Sequence, residues 1–152
     1  MKKYIYLLIS NISLFIVFPI IRLISKSFYE KKILPYVLNL TCNSRPIDYQ
    51  RKKVIPEASG KVLEIGIGPG SNLKHYDNQK VTSILGIDPS EELNQIAQKR
   101  AEKNNLNVEF LIESASSLSV ESNSIDTVVS TYALCSIPEP HKTLQEIKRV
   151  LK

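Results

Sequence analysis

The apolar positions of this chain fall into short runs and helical stripes that alternate from residue 61 onward. Val62, Leu63 and Ile65 close a run at Lys61–Ile65, and Ile84, Leu85 and Ile87 a second at Ser83–Ile87. Val108–Ile112 and Ile125–Ser130 add a third and a fourth. Runs this short and this apolar predict strands buried on both faces of a parallel sheet. Between the second and third, Leu93, Ile96, Ala97, Arg100 and Ala101 recur at helical spacing over Glu91–Asn104, opened by Pro89-Ser90. A short helix is expected near Ser71–Tyr76. A last helix over His141–Lys152 carries Leu144, Ile147, Val150 and Leu151 on one face. Strands alternating with helices predict an α/β fold, a Rossmann-like parallel sheet with flanking helices and right-handed crossovers. The Ser-rich stretch Ser114–Asn123 is expected to be a loop.

Upstream the pattern changes. Tyr4–Ile21 is an 18-residue run without a charge, bracketed by Lys2 and Lys3 on one side and Arg22 and Lys26 on the other. Its length is near the lower limit for spanning a bilayer, and it holds Ser10, Asn11, Ser13 and Pro19. We expect an N-terminal hydrophobic helix, a membrane anchor over residues 1–26. A secretory signal fits less well, because no small-x-small cleavage pattern follows the run; a buried core helix is the third reading. Residues 27–56, broken by Pro35, Pro46 and Pro56, are expected to form a basic connector or lid, and residues 57–152 the α/β domain.

Net charge is +5, and it is unevenly placed: residues 1–55 hold ten Lys/Arg against Glu30 and Asp48. Basic residues beside an apolar segment suit an anionic leaflet and keep the downstream domain on the cytoplasmic side. Nucleic-acid binding is not expected, since the positive charge gathers at the apolar segment while the domain is mildly acidic. The thiols Cys42 and Cys135 lack metal-ligand spacing, so no metal is expected, and Cys135, in an apolar stretch, is expected to be a buried free thiol. His75 and His141 are read as structural or surface residues.

The chemistry concentrates at Val62-Leu-Glu-Ile-Gly-Ile-Gly-Pro-Gly70 and Ile84-Leu-Gly-Ile-Asp88. A strand running into a Gly-rich turn, then a strand ending in an acid, is how an open α/β sheet holds a nucleoside-bearing cofactor. The acid is placed to accept both ribose hydroxyls. A dinucleotide fingerprint wants G-x-G-x-x-G, but after Gly66 and Gly68 its third glycine would fall at Ser71, which disfavours a nicotinamide-dependent oxidoreductase. Instead the third glycine is Gly70, and Glu64 precedes the first by two. This E-x-G-x-G-x-G resembles motif I of the class I S-adenosylmethionine (SAM)-dependent methyltransferases. An acid there also suits a ligand carrying an ammonium and a sulfonium.

Residues from about 33 to 152 resemble the methyltransferase-like protein 7 group, membrane-associated thiol methyltransferases, and its bacterial relatives. The strings that carry the likeness are Ile33-Leu-Pro-Tyr36, Cys42-Asn-Ser-Arg-Pro46, Gln50-Arg-Lys-Lys-Val54, Glu64–Gly70, Thr131-Tyr-Ala-Leu-Cys-Ser-Ile-Pro138 and Glu146–Lys152. The resemblance implies SAM as cofactor and a small-molecule methyl acceptor, with a thiol as the suggested one. By position, Glu64, Gly66, Gly68 and Gly70 would contact the methionine end, Asp88 the ribose, and Pro89 and Ser90 the edge of the adenine. Ser114, Ala115 and Ser116 would bind adenine, with Glu113 standing where many relatives place an acid one or two residues later. Thr131 to Leu134 would line the methyl-transfer site, unless Tyr132 and Leu134 simply pack the core. No catalytic acid or base is nominated: transfer from a sulfonium asks mainly for alignment, and a thiol is already partly ionised at neutral pH. The family sheet has seven strands in the order 3-2-1-4-5-7-6. A C-terminally truncated domain is therefore expected, with strand four at an exposed edge and the acceptor half largely absent. The alternative is a non-catalytic SAM-binding or membrane-tethered interaction module.

Overall fold

The computed structural model describes residues 44–152 together with Phe28, Tyr29, Ile33, Leu34, Tyr36 and Val37. The chain divides into two compact units, residues 1–38 and 39–152, and the six described residues of the first lie in helical turns. The expected hydrophobic helix and Cys42 lie outside the described residues. Among those described, no helix is long and apolar enough to cross a membrane.

The second unit opens with helix α1 (Arg45–Val54), whose Pro46 occupies the first turn, where a missing N–H costs nothing. A 3₁₀ turn at Ile55–Glu57 leads into β1 (Gly60–Ile65). Then follow a 3₁₀ turn at Leu73–His75, β2 (Val81–Ile87), α2 (Glu91–Lys103), β3 (Val108–Leu111), β4 (Thr127–Ser130) and α3 (Pro140–Val150). The sheet is parallel in the order β3-β2-β1-β4, so β4 is one edge. Ser90 caps α2 as expected: its side chain accepts the Leu93 N–H at 3.2 Å.

Each strand sends alternate residues to opposite faces. Val62, Ile84 and Val129 meet Ile55, Leu73, Tyr76, Ala97 and Ala101 on one side. Leu63, Ile65, Leu85 and Ile87 meet Leu118, Val120, Ile125 and Val150 on the other. By the same alternation Glu64 shares the face of Val62, which directs a carboxylate into the first of these cores.

Three expectations are corrected. The segment near Ser71–Tyr76 makes only the 3₁₀ turn Leu73–His75. On α3 the inward stripe is Thr143, Ile147 and Val150, rotating Leu144 to 51% exposure; Thr143 can be buried because its hydroxyl donates to the Glu139 carbonyl at 3.2 Å. Cys135 is exposed, because it sits on a 3₁₀ turn beyond β4 (Leu134–Ser136) rather than in a strand. The Ser-rich loop is fastened to α3 by Arg149, which donates to the carbonyls of Val120 and Leu118 at 2.8 and 3.1 Å and to Glu146.

Candidate cofactor and methyl-transfer site

Strand register brings the candidate residues to one end of the sheet. Ile65 pairs with Ile87 and Ser130, and Ile87 with Leu111. Gly66, Asp88, Thr131 and Ile112 therefore follow side by side at the carboxyl ends of four adjacent strands, where open α/β sheets bind ligands.

At the tip of β2, the buried Asp88 carboxylate closes onto the glycine loop. Its Oδ2 accepts the Gly68 N–H at 3.0 Å and its Oδ1 the Ser90 N–H at 2.9 Å. Each oxygen keeps a further lone pair for a hydroxyl. Burial pushes the Asp88 carboxyl up, opposed by the N–H bonds from Ser90 and Gly68. The loop itself is pinned by the N–H groups of Gly66 and Ile67 on the Ile87 carbonyl, at 2.8 and 3.1 Å.

The glycines differ in purpose. Gly68, at φ +53°, has no atom nearer than 3.9 Å to where a Cβ would stand, so its face is open. A Cβ on Gly66 would land on the Ala133 methyl, and one on Gly70 would reach Ala97 of α2 at 3.0 Å. Gly66 thus lets the segment after β4 approach the loop, while Gly70 lets the loop pack on α2.

At the tip of β1 Glu64 is fully enclosed. Its Oε1 accepts Asn72 Nδ2 at 2.9 Å and its Oε2 the Tyr76 hydroxyl at 2.7 Å. Burial raises the Glu64 carboxyl to about 7, against the lowering pull of Tyr76, Asn72 and the Arg51 charge. Tyr76 is pushed up too, by its own burial and then by the Glu64 charge. Asn72 extends the network: Nδ2 also donates to Thr131 Oγ1 at 2.9 Å, and Oδ1 accepts Arg51 Nη1 at 2.6 Å. The same Arg51 nitrogen donates to Thr131 Oγ1 at 2.7 Å. Glu64 near the end of β1 and Thr131 just beyond the end of the neighbouring β4, far apart in sequence, thus share a single network.

Ser114 and Ala115 lie in the loop after β3 with partners of their own. The Ser114 and Ser116 hydroxyls are 2.8 Å apart, and Ala115 is buried beside Leu118 and Val120. Glu113 accepts the Ser119 N–H at 3.2 Å, which occupies it within the loop. Pro89 is exposed, and Ser90 is committed to capping α2. Tyr132 and Leu134 do not pack the core; Tyr132 is 56% exposed and holds φ +58°, a strained conformation for a bulky side chain. Arg51, Asn72 and Tyr76 are site residues that the sequence reading gave no role. Asn72 comes just after the glycine loop, and Arg51 lies in the basic stretch Gln50-Arg-Lys-Lys-Val54 that resembles the family; neither has a spacing that marks it.

A parallel sheet with a glycine loop closed by the acid of the next strand defines an α/β protein built to hold a nucleoside-bearing cofactor. Residues 63–152 match the methyltransferase domain family, and the chain belongs to that family. S-adenosylmethionine is the cofactor this membership implies. Among relatives, the human thiol S-methyltransferase TMT1B is 31% identical over 135 residues, spanning 80% of this chain and 54% of its own length. The mitochondrial methyltransferase OMS1 of Saccharomyces cerevisiae is 28% identical over 145 residues, or 83% of this chain and 31% of that one. The chain thus spans about a third to a half of these curated relatives. In fold it is similar to the crystal structure of a SAM-dependent methyltransferase from Aquifex aeolicus, with TM-score 0.62 and 24% identity over 78% of this chain and 67% of that one.

Proposed function

We propose that this chain carries the cofactor-binding part of a SAM-dependent methyltransferase that acts on a small molecule, with a lipophilic thiol as the acceptor. The observation that carries the reading is Asp88 at the tip of β2, each oxygen held by one backbone N–H beside an open Gly68. That arrangement fits a ribose diol, while the acid Glu64 sits buried behind the loop, where it holds Asn72 and Tyr76 and adds negative charge behind the methionine end of a cationic cofactor when ionised. When bound, SAM supplies an electrophilic methyl group on a sulfonium.

The chain's own contribution is placement. Asp88 orients the ribose, Gly66, Gly68 and Gly70 offer backbone along the methionine end, and Ser114 and Ala115 border the adenine side. Thr131 and the exposed Tyr132 and Leu134 form the lip an acceptor would meet. An apolar lip, with no acid or base of its own on Tyr132–Pro138 beyond the Tyr132 and Cys135 side chains, suits a nucleophile that ionises unaided. The thiol is further supported by the name of the human relative, at 31% identity. The uncharged run Tyr4–Ile21 with its basic flanks supports attachment to a membrane, the domain facing the cytoplasmic side.

Calorimetric titration of SAM into the full chain in mild detergent tests the cofactor, with Asp88→Asn beside it. Micromolar binding that the substitution weakens about 100-fold is expected, from loss of charge-assisted bonds of roughly 1.5–3 kcal/mol each. A folded chain that takes up no SAM would overturn the reading. Binding without methylation of any thiol would instead point to a non-catalytic SAM-binding module.

A further inference from the structure

We infer that Arg51 is a positioning residue for methyl transfer: reaching in from α1, it braces the direct Asn72–Thr131 hydrogen bond and fixes the tip of β4 against the turn that follows the glycine loop. The inference rests on the reading of this cleft as a methyl-transfer site.

Arg51 is 6% exposed, and one of its nitrogens, Nη1, donates to both Asn72 Oδ1 and Thr131 Oγ1. Asn72 belongs to the cofactor side and Thr131 to the acceptor side. The guanidinium carbon also lies 5.2 Å from the centroid of the Tyr132 ring, within cation–π range. Tyr132 is the residue held at φ +58°, and the next residue, Ala133, packs into the space Gly66 leaves open. The bend after β4 is therefore gripped at three successive residues, two of them by Arg51.

Attachment of α1 alone does not call for this cation. Asp48 of the same helix already reaches Lys74 at 2.5 Å and His75 at 2.8 Å, and Ile55 beyond it is fully buried. An apolar side chain at position 51 would anchor the helix without burying a guanidinium, which is costly where its hydrogen-bond partners are neutral. Its Nε, moreover, is buried without a partner among the described residues. What an apolar residue could not do is hold Asn72 and Thr131 from a single point. In-line transfer depends on that spacing, since a displacement of about 1 Å costs on the order of 100-fold in rate.

The test compares the full chain with Arg51→Met, Arg51→Lys and Thr131→Val, each first shown to be folded by circular dichroism. Three quantities are read: amide hydrogen exchange over 131–136, SAM affinity by titration, and methylation of thiophenol to thioanisole. In Arg51→Met, exchange over 131–136 should quicken at least about tenfold while the amides of β1 keep their protection. SAM affinity should stay within about threefold while kcat falls roughly 30- to 100-fold, the signature of lost alignment rather than lost binding. Arg51→Lys should recover part of both effects, since it keeps a charge and a donor. Unchanged exchange over 131–136 in both Arg51→Met and Thr131→Val would overturn the inference. So would a SAM affinity that falls with kcat intact, which would make Arg51 a cofactor contact. Should Arg51→Met not fold, Arg51→Lys and Thr131→Val decide by the same exchange criterion. If the unsubstituted chain binds no SAM, the function reading itself fails. If it binds SAM but leaves thiophenol unmethylated, only the thiol is lost, and exchange still decides for or against Arg51.

Discussion

Replacing Glu64 by Gln removes a charge and keeps the shape of the side chain, so it isolates what ionisation at the tip of β1 costs. In the unfolded chain this carboxyl titrates at its ordinary 4.5; in the folded protein burial lifts it to about 7. Between those values the native state holds a proton that the unfolded state has released. Stability is therefore fully present below about pH 4.5 and declines as pH rises through about 7. A rise of that size, at about 1.4 kcal/mol per pH unit, amounts to ~3 kcal/mol. The neutral amide of the Glu64→Gln variant would carry no such penalty. Urea unfolding of both proteins from pH 4 to 8 should show nearly equal stability at the acid end. The variant should pull ahead by ~3 kcal/mol at the alkaline end. Asp88 is also raised by burial, but it is common to both proteins and cancels in the difference. A difference that does not vary with pH, or that grows toward acid, would refute the reasoning. The hydrogen bonds from Tyr76 and Asn72, with the attraction of Arg51, would then outweigh desolvation, and Glu64 would be ionised throughout.

Two further outcomes are set by local geometry. Gly66→Ala should destabilise the domain by ~2–4 kcal/mol, read as a lower urea midpoint, because the new methyl meets Ala133 at a φ of +67° that disfavours any side chain. Glu146→Gln should flatten the acid limb of stability. The Arg149 guanidinium, and then the Leu118 N–H, hold the Glu146 carboxyl down at about 2, so its contribution is present above 4.5 and lost as pH falls through about 2. Thermal unfolding between pH 5 and pH 2 reads this, and equal slopes for the two proteins would count against it.

The strand tips were legible because buried parallel strands leave unbroken apolar runs, and an acid at the end of such a run has one place to go. Asp88 and the glycine loop were found that way, and the register sets them side by side. The Arg51 network was not legible. Arg51 meets Asn72 across 21 positions and Thr131 across 80, and no periodicity links residues so far apart. Cys135 and Leu144 were misplaced for a related reason: Cys135 stands in an apolar stretch and Leu144 at helical spacing from Ile147 and Leu151, yet a 3₁₀ turn and a rotation of α3 about its axis turn them outward. Apolar composition tells that a segment is packed somewhere, and only the neighbours decide which of its residues are.

Asp88 itself ties the glycine loop to the start of α2 through its bonds to the Gly68 and Ser90 N–H groups. Its upkeep through descent is therefore secured twice, once by folding and once by any cofactor. Drift that abolished activity would leave it standing for as long as the domain had to fold. Tyr132 is in the opposite position, since its backbone is strained and its ring faces outward. Apart from the Arg51 contact over its ring, folding gains little from a large side chain there, so among relatives the loss of an aromatic ring at position 132, rather than change at 88, is the record of whether the acceptor side is still in use.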